Sequence, residues 1–208
     1  MNLAQPFELV TPTLDGDLLA VLARAESSFT IGQIAGLVGH ASVSGLRKAL
    51  GRLSRQGIVS AQRTPAAVLY SLNRRHLAAE AILFLANLRT HLIERMATDM
   101  RQWPTPPAYA ALFGSAARGD MSPESDIDTF VLRPRQVAVE DKAWRDGVDS
   151  FTAKVASWTG NDVRIFEVGV SDVNAADPLI KAVAAEGLTL VGERSEIQTR
   201  QPKEVRRG

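Results

Sequence analysis

Two carboxylates and a glycine-rich turn lie close together in the sequence, between two apolar segments. The chain reads Gly114-Ser115, then ten residues, then Asp126-Ile127-Asp128. Because side chains alternate across a strand, Asp126 and Asp128 are expected on one face, with Ile127 pointing into the core. Two carboxylates held in this way repel each other unless a cation lies between them. Mg²⁺ takes one or two protein carboxylates together with phosphate oxygens, so the pair predicts a site for Mg²⁺ or Mn²⁺.

The segment before the carboxylates has the composition of a phosphate-binding turn. The apolar segment at 108–113 runs directly into residues 114–118, which we call the glycine turn. A glycine between a strand and a helix lets backbone N–H groups approach phosphate oxygens. A P-loop is excluded, because Asp120 and Met121 stand where that loop requires Lys and then Ser or Thr. A phosphate-binding turn beside a carboxylate pair predicts phosphoryl or nucleotidyl transfer.

This combination resembles the signature of the DNA polymerase beta-like nucleotidyltransferase superfamily. The residues at 114–120 and 125–128 are very similar to the motif of the minimal branch of that superfamily. The resemblance covers about residues 105–192. It implies a mixed sheet flanked by helices, and transfer of a nucleoside monophosphate from an NTP to a hydroxyl with release of pyrophosphate. It also implies that Gly114 and Ser115 hold the β- and γ-phosphates and that Asp126 and Asp128 hold the metals. We add Arg118, placed to neutralise developing phosphate charge.

Catalysis in this superfamily implies a third carboxylate on a later strand, which helps to bind a metal and deprotonates the attacking hydroxyl. The corresponding strand is at 162–168, where Arg164 occupies the position of that acid, and a cation cannot bind metal. Asp162 shares the strand face of Arg164, whereas Glu167 faces the opposite way unless a bulge intervenes, so Asp162 fits better. Two outcomes stay open: a transferase, or a domain that binds a nucleotide or a protein without turnover.

The charge of residues 104–192 bears on the acceptor. This segment carries thirteen Asp and Glu against eight Lys and Arg, so a small molecule or a protein hydroxyl suits it better than bulk nucleic acid. The resemblance also implies a partner, since small nucleotidyltransferases of this branch often modify or sequester a partner protein. Three functions are therefore open: an enzyme, a transcription regulator with a nucleotide-sensing domain, and an antitoxin-like protein.

The first part of the chain has the pattern of three helices and a hairpin. The predicted elements are a helix from Leu14, a helix between Thr30 and Gly39, a helix from Ser42 or Ser44 to Gly57, and strands at 57–61 and 68–73 around a turn at 62–66. This order resembles the winged helix-turn-helix of bacterial transcription regulators over about residues 14–76.

Polar and basic residues of the third helix lie off its leucine stripe and predict a DNA-binding face. Cationic side chains on a helix that fits the major groove contact phosphates and guanine edges, and a cation in the hairpin turn reaches an adjacent groove. A protein-docking module and a merely solvated face are the alternatives. The predicted DNA-binding residues are Ser44, Arg47, Lys48, Arg52, Arg55 and Arg63, and Gly51 also lies off the leucine stripe.

Composition and charge limit the function classes. The 208 residues include no Cys, which excludes disulfides, a thiolate zinc site and a Cys nucleophile, and fits a reducing compartment. The net charge of +1 divides into +4 for residues 1–76 and −3 for residues 77–208, so the basic part favours duplex DNA. With neither a leader pattern nor a run of about 20 apolar residues, we expect a cytoplasmic protein without a membrane partner.

The sequence thus predicts an α/β (α+β) protein in which a winged helix is joined by a long helix to a nucleotidyltransferase domain with a mixed sheet flanked by helices. The expected bounds are 1–76 for the winged helix, 77–103 for the connecting helix, 104–192 for the nucleotidyltransferase-like domain and 193–208 for a disordered tail. The connecting helix has an apolar stripe wide enough for packing on both domains or for a homodimer seam: Leu77, Ala81, Leu85, Leu88, Leu92 and Met96.

Overall fold

The computed structural model describes residues 1–198, which divide into two compact units. The N-terminal unit comprises residues 4–88 with Asn2, and the C-terminal unit comprises the chain from Arg89 onwards with Met1 and Leu3. Both units contain helices and a sheet, so the predicted α/β class is confirmed. No helix among residues 1–198 combines the length and the apolar character needed to cross a membrane.

The N-terminal unit packs its helices on a small antiparallel sheet with the strand order β1-β3-β2. Its core includes four fully buried leucines of α1 and α3, which are Leu18, Leu22, Leu46 and Leu50. The elements are a short 3₁₀ helix (Pro6–Leu9), α1 (Leu14–Ala23), β1 (Phe29–Thr30), α2 (Ile31–Val38), α3 (Val43–Arg55), β2 (Val59–Arg63), β3 (Val68–Leu72) and α4 (Ala79–Ala86).

Side-chain caps fix where α2 and α3 begin. The Thr30 hydroxyl accepts from the backbone N–H of Gln33 while the Gln33 amide oxygen accepts from the Thr30 N–H, a reciprocal capping box. The Ser42 hydroxyl accepts from the N–H of Gly45 at 3.1 Å, so α3 begins directly after Ser42 and not after Ser44. Arg63 was predicted to lie in the turn of the hairpin. The chain turns at 64–67 instead, so Arg63 is the last residue of β2.

The C-terminal unit is built on a four-stranded mixed sheet with the order β6-β5-β4-β7. Strands β5 and β6 are parallel, and the other two pairings are antiparallel. The elements from the boundary onwards are α5 (Leu88–Arg101), β4 (Tyr109–Phe113), α6 (Gly114–Arg118), β5 (Ile127–Arg133), α7 (Lys142–Thr159), β6 (Val163–Gly169), α8 (Pro178–Glu186), β7 (Leu188–Gly192) and α9 (Ser195–Gln198).

Helix α8 covers one face of this sheet. Its Ile180 and Val183 pack in one buried cluster with Phe113 of β4 and Phe130 of β5, and the ring of Phe166 in β6 meets that of Phe113 at 5.2 Å. These positions share their strand faces with Asp128 and Arg164, because side chains alternate along β5 and β6. The apolar cluster therefore supports the polar end of the same face.

The connecting helix was predicted to be continuous over 77–103, but the structure shows a break. It is divided into α4 and α5 at Asn87, whose backbone leaves the helical region and whose side-chain amide donates to the carbonyl of Leu83 at 2.8 Å. This local hydrogen bond satisfies a helix-end carbonyl and competes with helix continuation. Leu77 precedes α4 and is 97% exposed, so it does not belong to the apolar stripe.

The predicted disordered tail needs a partial correction. Residues Ser195–Gln198 form the helical turn α9, and Ile197 is fully buried in the cluster that contains Ile180 and Val183. Ile197 thus helps to anchor the first residues of the polar segment, together with the hydrogen bonds of Arg194 to the carbonyls of Ala184 and Gly187. The remainder of the predicted tail, 199–208, lies outside the described residues.

Candidate functional site

The glycine turn follows β4 without an intervening loop. Gly114 has φ +69°, and a Cβ added there would lie 2.6 Å from Asp128 Oδ2. Both the backbone conformation and the close approach of the carboxylate therefore require glycine at this position. Ser115 is half-buried in the first turn of α6, and its carbonyl accepts from the N–H groups of Gly119 and Asp120.

The predicted carboxylate pair lies beside this turn. Asp128 in β5 pairs in register with Phe113 of β4 on one side and with Arg164 of β6 on the other. Asp126 directly precedes β5, and Ile127 between the two acids is fully buried. The structure therefore brings together Gly114, Asp126 and Asp128.

Arg164 contacts the carboxylate pair directly. Its guanidinium lies 2.7 Å from Asp126 Oδ2, while 64% of the Arg164 side chain remains exposed to solvent. The strand position expected to supply a third carboxylate therefore supplies a cation that is bonded to one of the other two. The Asp126 side chain is only 22% exposed, so water reaches this ion pair mainly from the side of Arg164.

Asp128 is the less compensated of the two acids. Burial raises its pKa above the ordinary aspartate value, and the nearby Asp126 adds to the rise, while Arg164 and Arg118 oppose it. Among the described residues, the buried Oδ1 of Asp128 has no hydrogen-bond partner. An oxygen-ligating cation at this atom would satisfy it, which is the observation that fits a metal to the pair.

The donor set is small. No group of three or more His, Asp or Glu side chains is arranged to hold a metal anywhere in residues 1–198. Asp128 and Asp126 alone suit one Mg²⁺ ion, because Mg²⁺ completes its coordination with water and substrate phosphates. They do not make up the three-carboxylate set that the resemblance implied.

The predicted phosphate-binding Arg118 is held by two acids. Its Nη1 donates to both carboxylate oxygens of Glu186, at 3.0 and 3.1 Å, and its Nε donates to Asp120 at 3.1 Å. These hydrogen bonds raise the pKa of the Arg118 guanidinium above its ordinary value, and the bonds to Glu186 contribute most. The N–H of Gly114 also donates to Glu186, at 3.2 Å. Glu186 is the last residue of α8, and no local motif marks it as part of a site.

The two candidates for a third acid take different positions. Glu167 lies on the opposite face of β6, where its carboxylate is bonded to Arg133 at 2.9 Å and to Arg145 at 3.2 Å. The β5–β6 register runs without a bulge, so Glu167 does not reach the site. Asp162 is exposed directly before β6, and its carbonyl accepts from the N–H of Ile127 at 2.8 Å.

Two further residues support the site without having been predicted. The buried Asn161 side chain donates to the carbonyls of Pro123 and Ser125, at 3.0 and 2.9 Å, and so fixes the loop that leads into Asp126. Arg89 of α5 donates to the carbonyl of Ala117 in the glycine turn. Neither belongs to a local pattern, and only the fold brings them to their partners.

The basic face of α3 lies in the N-terminal unit. The six polar side chains predicted to bind DNA, five on α3 and Arg63 in β2, are all exposed. Arg52 forms an ion pair with Asp15 of α1. Within residues 1–198, by contrast, Arg47, Lys48 and Arg55 form no ion pair. The exposed positions are Ser44, Arg47, Lys48, Arg52 and Arg55 on α3 and Arg63 at the end of β2.

Comparison with known proteins gives one family match. The model of the nucleotidyltransferase domain matches residues 93–159, less than half of the chain but including Gly114, Ser115, Asp126 and Asp128. Among curated proteins none matches. The chain is therefore similar to nucleotidyltransferases over the glycine turn and the carboxylate pair.

Solved structures of toxin–antitoxin proteins match part of the chain. One toxin–antitoxin with AMP-PNP has 22% sequence identity and a TM-score of 0.38, over 51% of this chain and 78% of its own. A doubly substituted mutant of the MntA–HpeT toxin–antitoxin has 20% identity and a TM-score of 0.39 over the same shares. A singly substituted mutant of MntA–HpeT has 24% identity and a TM-score of 0.36, over 50% and 76%.

Proposed function

We propose that the C-terminal unit binds an NTP and Mg²⁺ or Mn²⁺ and transfers a nucleoside monophosphate to a hydroxyl acceptor. The observation that carries this proposal is the close approach of Gly114 and Asp128, because the glycine turn then lies against a carboxylate whose buried Oδ1 has no hydrogen-bond partner among residues 1–198. The nucleotidyltransferase family match over the same residues supports it.

Each site residue then has one role. The Gly114 N–H, Ser115 and Arg118 bind the β- and γ-phosphates, and Asp126 and Asp128 hold the metal. The metal, when bound, neutralises charge on the triphosphate. The acceptor oxygen forms a bond to the α-phosphorus as the bond to pyrophosphate breaks. The proton of the acceptor hydroxyl passes to water or to Asp162, the exposed acid that directly precedes β6.

Labelled NTPs test the activity. The protein is incubated with Mg²⁺ and each α-labelled NTP in turn, with a protein partner or a small hydroxyl compound as acceptor, and incorporation of label and release of pyrophosphate are measured. We expect incorporation that is lost in Asp126→Asn and in Asp128→Asn but kept in Glu140→Gln, an exposed acid outside the site. Equal incorporation by the Asp128→Asn variant would refute the assignment of the pair.

A second function is favoured by the contact between Arg164 and Asp126. A guanidinium bonded to one carboxylate supplies positive charge where a metal would lie, which supports nucleotide binding without turnover. In this alternative the unit is a sensor that changes the DNA affinity of the N-terminal unit. NTP binding without pyrophosphate release, together with NTP-dependent binding of duplex DNA, distinguishes the sensor from the enzyme.

For the N-terminal unit we propose a DNA-binding winged helix. This proposal is supported by the order of three helices followed in the chain by a β-hairpin, and by the exposed cations on the third helix. The cations Arg47, Lys48 and Arg55 are available to phosphates because none of them is held in an ion pair within the described chain. A binding assay with duplex DNA at several salt concentrations tests it, and a protein-docking role is indicated if no duplex binds.

The acceptor and the partner follow from charge. Since acids outnumber basic residues at 104–192, we propose a protein or small-molecule hydroxyl as the acceptor. If the acceptor is a protein, we propose a toxin-like protein partner. Comparison of label transfer to co-purified protein with transfer to small alcohols separates the two. A homodimer stays our proposal for the apolar side of α4 and α5, with sedimentation as its test.

A further inference from the structure

The glycine turn already holds an anion that belongs to the protein. The Glu186 carboxylate accepts hydrogen bonds from Gly114 N–H and from Arg118. These are two of the three groups that the proposed function assigns to the β- and γ-phosphates. A carboxylate oxygen and a phosphate oxygen accept the same kind of charge-assisted hydrogen bond from such donors.

The position of Glu186 is fixed by the end of α8. Gly187 follows it with its N–H bonded to the carbonyl of Val183 at 2.9 Å, and Arg194 donates to the carbonyls of Ala184 and Gly187. The carboxylate is 29% exposed and therefore partly withdrawn from water, whereas 47% of the Arg118 side chain is exposed. The backbone that carries Glu186 is thus anchored, while its side chain has solvent into which it can rotate.

We propose that Glu186 occupies the phosphate-binding position of the glycine turn and must leave it before a triphosphate binds. The proposal rests on the proposed function of this site. Glu186 thereby sets both the affinity of the site for NTPs and its selectivity for the number of phosphates, since a ligand must reach Gly114 and Arg118 to replace the carboxylate.

The consequence for affinity follows from competition. If the side chain leaves the turn in only a fraction of molecules, the apparent dissociation constant rises by the inverse of that fraction. A triphosphate offers β- and γ-oxygens to the donors that Glu186 gives up, so the exchange conserves hydrogen bonds. The single phosphate of a nucleoside monophosphate belongs beside the carboxylates, where removal of Glu186 brings little gain.

The experiment is isothermal titration of the full-length protein with ATP, AMP and tripolyphosphate in the presence of Mg²⁺. We expect Glu186→Ala to bind ATP and tripolyphosphate about tenfold more tightly than the parent, with AMP binding changed less than about twofold. Glu186→Gln keeps the shape but weakens the hydrogen bonds, so it should lie between the two. Thermal melting of both variants checks that α8 is intact.

Asp120→Asn is the matched control. Asp120 also bonds Arg118 but does not touch Gly114, so its substitution removes a negative charge near the turn without opening it. We expect Asp120→Asn to change ATP affinity by less than about twofold. An equal gain in this variant would overturn the proposal, because a change in charge alone would then explain the effect.

Two other outcomes would refute the role of Glu186 alone or the proposed function as a whole. If the parent and Glu186→Ala bind ATP equally, or the variant binds more weakly, Glu186 is not a competitor and the inference is wrong while the site stands. If neither the parent nor either Glu186 variant binds ATP or tripolyphosphate, the proposed function fails, and this inference fails with it.

Discussion

Arg118 of the glycine turn and Arg164 beside the carboxylate pair are bonded to carboxylates, whereas Arg47, Lys48 and Arg55 on α3 are exposed and form no ion pair within the described residues. A ligand of the glycine turn therefore exchanges one anion for another. A polyanion that binds α3 displaces mainly dissolved counterions. The two regions should differ in their response to salt and in the effect of removing acidic neighbours.

The largest expected effect comes from filling the space at Gly114. In Gly114→Ala the new Cβ meets Asp128 Oδ2, and the left-handed backbone conformation is strained as well. Displacement of the turn by about 1 Å should lower nucleotide transfer about a hundredfold. Labelled-NTP transfer and calorimetry measure the loss.

Gly160→Ala is the control for this substitution. Gly160 has a similar φ of +70°, but a Cβ there meets nothing within 4 Å. Both variants should lose about 1 kcal/mol of stability from backbone strain, and only Gly114→Ala should lose NTP binding. Equal losses of NTP binding would show that strain, and not the contact with Asp128, limits the site.

The next effect concerns α3. Arg47→Ala combined with Lys48→Ala should weaken duplex binding about tenfold and reduce the slope of log K against log salt by about 1.8, since each lost phosphate contact contributes about 0.9. Arg75→Ala removes an exposed cation beyond the hairpin and should leave the slope unchanged. The measurement is fluorescence anisotropy over a salt series. If Arg75→Ala reduces the slope as much as the double variant does, DNA binding is not localised to α3, and the assignment of α3 as the DNA-binding face is wrong.

A smaller effect is expected from Arg164→Ala. Its removal leaves Asp126 without its ion-pair partner and Asp128 without one of two nearby cations, so a divalent ion should bind more tightly. For a partly exposed pair worth about 1 kcal/mol, the Mg²⁺ concentration that half-saturates NTP binding should fall roughly fivefold. Arg145→Ala, which removes a partner of Glu167 on the other face of β6, should leave this concentration unchanged. A rise in the Mg²⁺ requirement of Arg164→Ala would contradict our account.

The smallest effect is on stability. Because burial raises the pKa of Asp128, its ionised form costs the folded state free energy at neutral pH, and Asp128→Asn should raise the melting temperature by about 2 °C. Asp126→Asn loses the ion pair with Arg164 and should lower it slightly. The gain at Asp128 should be complete above its raised pKa and vanish below the ordinary aspartate pKa, where the folded and unfolded chains are both protonated. Calorimetric scans from pH 3 to 8 check the sign.

Helical periodicity was sufficient to predict the main elements of the N-terminal unit, because Leu18, Leu22, Leu46 and Leu50 stand at helical spacing and are all buried. The two-residue strand β1 was missed, since it exists only through its pairing with β3. The break at Asn87 was missed because the apolar stripe continues across it and one side-chain hydrogen bond decides the backbone.

For the candidate site, too, local features could be predicted from the sequence and long-range contacts could not. Gly114, Asp126 and Asp128 were predictable because a strand, a turn and alternation along a strand are local properties. The position of Arg164 was predictable from the resemblance, but its bond to Asp126 depends on the parallel pairing of β5 and β6. Glu186 could not be predicted, since only the packing of α8 on the sheet brings it to Arg118, 68 residues away in sequence.

That separation in sequence also orders events during synthesis of the protein. At 5 to 20 residues per second, roughly 3 to 14 s pass between the addition of Arg118 and that of Glu186 to the growing chain. Throughout this interval the nascent polypeptide contains the donors of the glycine turn but not the carboxylate that later bonds them. Arg118 therefore forms its hydrogen bonds to Glu186 only after α8 has been added to the chain.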